Sequence, residues 1–327
     1  MTLSGLAVAI TICMGIPLAA QAQSTARGAG GYPNKSLRII VSSAPGGGQD
    51  ITLRPIALKL GETLGVSVVV DNRGGASGII AMDLTRQAAA DGYTLLAAAT
   101  TMILVGITQK VNYDIRTAFD PVVHMTSQPY LLVLHPSIAA GTPKEFVAHV
   151  QSRPGILTYG TSGPGSLHNY GMELFQSITG TRLIHVPYKG SGPALVDLLA
   201  GQINLMFTST TSGASHVKSG KLKAIAVTST RPVAAYPNLP TLAETVAPGY
   251  ELENKYCLYA LAGTPPQAAA LLNREISRIV NSGDIKDKFA ADGADPAPPA
   301  SVEQFKRAYL REVEKWEQFT RTTKLKL

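Results

Sequence analysis

Apolar and polar positions follow one another along this chain in blocks that suit strands and, between them, amphipathic helices. Residues 37–41 are apolar and β-branched, and Ala44-Pro45-Gly46-Gly47-Gly48-Gln49-Asp50 ends the run. Ile56, Leu60 and Leu64 then recur at helical spacing across residues 51–64, the period that lines up apolar groups on one face. A strand at 66–70, a turn at Asp71-Asn72-Arg73-Gly74-Gly75, a helix at 79–89 and a strand at 93–98 complete a β-α-β-α-β series. Such alternation marks a mostly parallel sheet with helical crossovers.

A second series runs from a strand at 130–134 through a helix opened by Thr142-Pro143, a strand at 157–159 and a helix at 167–178. It continues as strand 183–186, helix 194–200 and strands 203–207 and 222–227. The apolar stretch 255–261 precedes two helical segments, 265–280 and 301–319, that have no strands of their own and must return to the first unit. The expected architecture is therefore α/β: two βαβ lobes joined by two crossing segments, near 127–131 and 253–260. Lobe 1 takes 32–128 plus 256–327, and lobe 2 takes 129–255. Pro55 lies five residues into the first helix and removes an intrahelical hydrogen bond, which predicts a kink or a late start.

The N-terminal stretch changes the picture of where this molecule works. An apolar run is followed by Ala20-Gln21-Ala22, a small-x-small pattern that fits a signal peptide over residues 1–22 and a mature start at Gln23. The run is broken by Thr11, Gly15 and Pro17 and falls short of the roughly 20 residues a spanning helix needs. No Lys or Arg precedes Ala22, which leaves room for a start codon upstream. The expected location is the periplasm, and the mature 305 residues (327 minus 22) suit two domains.

Charge and cysteine content exclude more than they assign. The net charge is +7, but the basic residues are scattered, with no basic block among stacking aromatics, so nucleic acid is not an expected partner. Cys13 leaves with the signal; Cys257, in the apolar stretch, reads as a packed residue. The six His show no HExxH and no short-range pairing with Cys, so no metal and no cofactor are expected. Gly46, Gly48 and the later Asp71 imitate a dinucleotide fingerprint, but Ile51 stands where its third glycine belongs. There is no G-x-S-x-G elbow either.

What remains is a pair of glycine-rich loops, each between a strand and a helix: residues 44–50, and Thr161-Ser162-Gly163-Pro164-Gly165-Ser166. Free backbone N–H groups and the helix dipole favour an anion at such places, and glycine lets the backbone come close. Two cradles facing each other across a cleft describe a grip on a carboxylate. Asp50 serves either as a helix cap or as a ligand contact. His168, just inside the second helix, serves either as a donor to the anion or as a structural residue.

Taken in order, the motifs resemble the Bug-type receptors, the periplasmic substrate-binding proteins of tripartite tricarboxylate transporters. The resemblance rests on Pro45-Gly46-Gly47-Gly48-Gln49-Asp50 with Arg54, Val70-Asp71-Asn72-Arg73-Gly74-Gly75-Ala76-Ser77-Gly78, and Asp91-Gly92-Tyr93. It continues through Ser162-Gly163-Pro164-Gly165-Ser166-Leu167-His168, His185-Val186-Pro187-Tyr188-Lys189-Gly190 and Gly263-Thr264-Pro265. It implies a type II periplasmic-binding-protein fold, a Venus flytrap that closes on a small carboxylate, with inner-membrane transporter subunits as partners and a monomeric receptor. The positions it implies for the ligand are Gly46, Gly47, Gly48 and Asp50 in one lobe and Ser162, Gly163, Gly165, Ser166 and His168 in the other. Thr100 and Thr101 sit where the family's variable pocket residues lie. Lys255 stands where the family commonly has Trp, Leu261 and Ala90 where it has Pro, and Pro55 lies within the first helix. Transport, sensing through a membrane kinase and an exported α/β enzyme remain open as readings, and the direction of Lys255 is open with them.

Overall fold

The computed structural model describes residues 31–322, so the signal peptide expected over residues 1–22 lies outside the described residues. Among the described residues ten strands form a continuous sheet system in the order β2-β1-β3-β9-β4-β7-β5-β6, with β8 (Lys223–Val227) and the two-residue β10 (Asp295–Pro296) paired to β4 off that path. β1 (Leu37–Val41), β2 (Val68–Asn72) and β3 (Thr94–Ala99) are parallel, with β1 in the middle. Helices α1 (Gly48–Leu64) and α2 (Ile79–Arg86) make the crossovers. In the second half β5 (Thr158–Thr161), β6 (Ile184–Pro187) and β7 (Leu205–Ser209) are parallel to one another. Their connections carry α5 (Leu167–Thr179) and α6 (Ser191–Leu199). After β7 come α7 (Thr210–Lys218) and β8 (Lys223–Val227).

Two long antiparallel strands join the halves. The sequence pattern marks only 130–134 as a strand, yet β4 runs from Phe119 to Leu134 without a break. Its first part pairs with β9 (Glu253–Leu261) and its last part with β7 and β8. Pro121, His124 and Pro129 hide the strand from apolar counting. Register shifts between Pro121 and Val123 and between His124 and Thr126 absorb two of these residues, as bulges do for residues that break the ladder. A short helix, α3 (Thr101–Thr108), also escapes the pattern because Met102, Ile103, Leu104 and Val105 are all buried, leaving no polar face to give a period.

The first helix corrects the expectation drawn from Pro55. α1 begins at Gly48, with Gly47 as its cap, and continues through Pro55 to Leu64, ended by Gly65 in the left-handed region at φ 68°. The core explains why it holds: Leu53, Ile56, Leu60 and Leu64 are buried against Ile39, Val41 and Leu95. Each such side chain contributes about 1.5–3 kcal/mol on burial, which outweighs one missing hydrogen bond at about 1 kcal/mol.

The C-terminal helices pack against the first part of the sheet, and the last of them also reaches the second half. α9 (Pro266–Val280) buries Leu271, Leu272, Ile276 and Ile279 against the sheet of the first lobe. α11 (Val302–Thr322) packs Tyr309 on Tyr259, with ring centroids 5.5 Å apart, but further along it sets Trp316 edge-on to Tyr170 of α5 at 5.5 Å. The last helix thus touches both halves. No helix among the described residues is long and apolar enough to cross a membrane.

Candidate functional site

Between the halves lies a cavity of about 40 Å³ whose walls come from both. At roughly 10–15 Å³ per water-sized group, it suits about three such groups. Four helices present their first turns to it, through Gln49 of α1, Thr101 of α3, His168 of α5 and Ser191 of α6. The floor is made by the two crossing strands, through Tyr130 of β4 and Asn254 and Tyr256 of β9. Among the described residues lining the cavity there is no Lys, Arg, Asp or Glu. Attraction for an anion then comes from helix dipoles, N–H groups and hydroxyls rather than from a fixed cation.

The cleft is shut. Ser77 donates its hydroxyl hydrogen to the Pro164 carbonyl oxygen at 2.6 Å, and the Leu167 amide donates to Thr101 Oγ1 at 3.1 Å. Ser77 belongs to a short 3₁₀ turn (Ala76–Gly78) and is held at φ 50° after Ala76 at φ 46°, both in the left-handed region. Non-glycine residues there are strained, and such strain clusters where a side chain must be aimed. Gly163, at φ 121°, passes so close that a Cβ would lie 2.6 Å from Ser77 Oγ. Gly192 does the same on the other lip, where a Cβ would lie 2.2 Å from the Pro45 carbonyl oxygen.

The residues implied for the ligand separate into groups. Thr101, Ser162 and His168 line the cavity. Ser166 caps α5, accepting from the Asn169 amide at 3.3 Å and donating to the Gly163 carbonyl at 2.6 Å. The Gly165 amide donates to Asn169 Oδ1 at 3.1 Å. Gly46 faces an outer groove of about 650 Å³ beside Gly192 and Pro193. Gly47 abuts Ser191, and Gly48 abuts Ser209 and Tyr256, each with no space for a Cβ. These glycines let the two lips and the floor meet, while their neighbours Ser42, Ser43 and Gln49 line the cavity.

Asp50 is not a cap: its carboxylate accepts from the Gly46 amide and from Arg54 Nε, both at 3.0 Å. Burial pushes this carboxyl up, but hydrogen bonds from Arg54, Gly46 and Asn72 and the Arg54 charge outweigh it, and it titrates below the usual carboxylate range. Asp50 therefore shapes the glycine loop from behind. Thr100 also faces away. Its Oγ1 accepts from the Lys255 amide at 3.0 Å, and its side lines a rear cavity of about 110 Å³ with Ile103, His124 and Cys257. Asp71, the acid of the failed dinucleotide fingerprint, is bound by Arg38 and Arg73 at 2.5–2.9 Å.

Strand parity decides Lys255. Successive side chains on a strand point to opposite faces, and Asn254 and Tyr256 line the cleft. Lys255 accordingly points to the rear, where Nζ meets Glu312 Oε2 of α11 at 2.5 Å. Cys257, two positions on, is buried there too, and burial pushes its thiol up to about 12.

His168 is 8% exposed, with Nδ1 2.9 Å from Ser162 Oγ and its ring centroid 4.7 Å from that of Tyr130. Burial lowers its imidazole from 6.5 to about 4, so it is neutral at neutral pH. Several polar atoms of the cavity wall, among the described residues, are buried and have no protein partner: Ser43 Oγ, Gln49 Nε2, Tyr130 Oη and Asn254 Oδ1. Sequence reasoning missed all four. The signal available for the last two was the alternation along the crossing strands, once those strands are known to be strands.

Comparison with known proteins places this geometry. Residues 52–325 match the family described as tripartite tricarboxylate transporter family receptor. Protein BugT of Bordetella pertussis is 35% identical over 299 residues, covering 90% of this chain and 91% of BugT. Among solved structures, the periplasmic binding protein BugD superposes with a TM-score of 0.85 at 27% identity, over 89% of this chain and 98% of BugD. An R. palustris protein solved with adipate superposes at 0.84 with 31% identity, over 89% and 98% of the two chains. The match over most of the length, together with a two-lobed fold closed on a cavity without fixed charge, shows that the chain belongs to the tripartite tricarboxylate transporter receptor family.

Proposed function

We propose that this protein captures a small carboxylate between its two lobes and presents it to the membrane subunits of a tripartite transporter. The observation that carries the reading is the set of four helix starts and unpartnered hydrogen-bonding groups converging on a closed cavity. The structural relative solved with adipate supports the same ligand class. The lobes, 32–128 with 256–327 and 129–255, open and close about β4 and β9. Thr101 and His168 contact the ligand from the helix starts and Ser162 from the loop before α5, while Gly47, Gly48, Gly163 and Gly165 permit the close approach of the lips and Gly46, at φ 76°, turns the loop ahead of them. The receptor works in the periplasm as a monomer that begins at Gln23.

Binding is favoured over turnover by the state of the Ser162–His168 pair, the hydroxyl and imidazole that meet among the described residues lining the cleft. Ser162 and His168 lie within hydrogen-bond distance, but burial holds the imidazole at about 4. A base so weak is poorly matched to work near neutral pH, and no carboxylate contributes to its setting.

Isothermal titration of the mature protein against mono-, di- and tricarboxylates tests the reading, with mass spectrometry of the recovered ligand. One acid binding at micromolar affinity or tighter and recovered unchanged is the expected result. No binding across the panel, or chemical conversion of the acid, overturns it.

A further inference from the structure

We infer that Asn254 selects a ligand which carries a hydrogen-bond donor, a hydroxyl or a protonated amine, in addition to its carboxylate. The inference rests on the carboxylate reading and narrows it. Asn254 lies on β9 and lines the cavity with 1% of its surface exposed. Its Oδ1 has no hydrogen-bond partner in the protein.

The chemistry of the orphaned groups separates two ends of a ligand. Gln49 Nε2 is a donor, and Ser43 and Tyr130 carry hydroxyls that can donate. A carboxylate, which only accepts, is the complement of such donors. The same carboxylate does nothing for Asn254 Oδ1, which also only accepts, and placing the two together sets lone pair against lone pair. The direct cross-strand partner of Asn254 is Gln128, fully buried, whose Nε2 is a second unpartnered donor. A hydroxyl gives one hydrogen bond and takes another, so it serves an acceptor and a donor together; an ammonium satisfies the acceptor alone. A buried acceptor left unpaired is destabilising, so a ligand without the donor is disfavoured about 5- to 150-fold.

The test is a titration of the wild-type protein with matched acids that differ only by the donor: acetate and glycolate, propionate and lactate, succinate with malate and aspartate, adipate and 2-hydroxyadipate. At least one hydroxy or amino acid is expected to bind 10-fold or more tighter than its unsubstituted partner. Asn254→Leu is expected to shrink that ratio below about 3-fold. Asn254→Asp, which keeps an acceptor, preserves it while weakening every acid. Unsubstituted acids binding as tightly as their partners in the wild-type protein overturn this inference and leave the carboxylate reading standing, a trapped water then bridging Gln128 and Asn254. Absence of binding by every acid in the panel overturns both. The wild-type ratios decide the matter even where Asn254→Leu does not fold.

Discussion

Ser77 reaches across the cleft to the Pro164 carbonyl at 2.6 Å from a backbone held at φ 50°. The bond exists only with the lips together, so it favours the closed form. Ser77→Gly removes the hydroxyl and suits the left-handed backbone. Loss of one hydrogen bond, about 0.5–1.5 kcal/mol, predicts a dissociation constant about 2- to 10-fold larger with the apo melting temperature preserved. An unchanged affinity rules out a role for this bond in closure.

Gly192 offers a cleaner probe of closure than the loop glycines with positive φ. It lies in α6, where alanine stabilises a helix by about 1 kcal/mol over glycine. In the closed cleft its added Cβ meets the Pro45 carbonyl at 2.2 Å. Gly192→Ala is therefore expected to keep or raise the apo melting temperature and weaken ligand binding at least 10-fold. Tight binding by this variant in a calorimeter refutes the closed seam as the binding-competent state.

Acid should destabilise the protein through its buried imidazoles. Burial, and for His124 the Lys255 charge as well, lowers both His124 and His168 to about 4 from 6.5. As pH falls from 6.5 towards 4, the unfolded chain takes up protons that the folded chain refuses, so stability declines across that window. Above 6.5 this contribution is flat, and below about 4 the folded form is protonated too. His124→Gln, away from the ligand, should flatten the decline by on the order of 3 kcal/mol. Parallel melting profiles for variant and wild type between pH 4 and 6.5 contradict this.

Lys255 should leave ligand choice untouched. Its ammonium is paired with Glu312 behind the floor of the cleft, and partly exposed pairs contribute about 0–1 kcal/mol. Lys255→Met is expected to alter affinity for any acid less than about 2-fold, equally for mono- and dicarboxylates. A selective loss of dicarboxylate binding places the cation in the cleft and overturns the assignment.

Periodicity and loop composition made the parallel halves legible, because β1 and β3 are rich in apolar residues and glycine-rich loops follow β1 and β5. It could not show β4 as one strand, since the bulges that tolerate Pro121 and His124 erase the two-residue alternation. The same blindness hid the floor of the cleft. Loop composition located the right strand ends, but a glycine loop places its neighbours: Gln49 and Ser43 line the cavity, whereas Gly46 and Asp50 support it from outside. Lys255 was undecided in sequence because its direction depends on the register of β9, which no local pattern reveals.

The unbroken strand from Phe119 to Leu134 has a thermodynamic corollary. Proteins made of two tethered bodies often melt in two steps, one body at a time. Here Tyr130, Leu131 and Leu132 bond to β7 and β8 on the same strand whose earlier residues bond to β9. Neither half can fray without stripping a strand from the other. Chemical denaturation should therefore show a single transition by every probe, with the amides of residues 130–134 among the last to exchange with solvent deuterons; two resolved transitions would disprove the coupling.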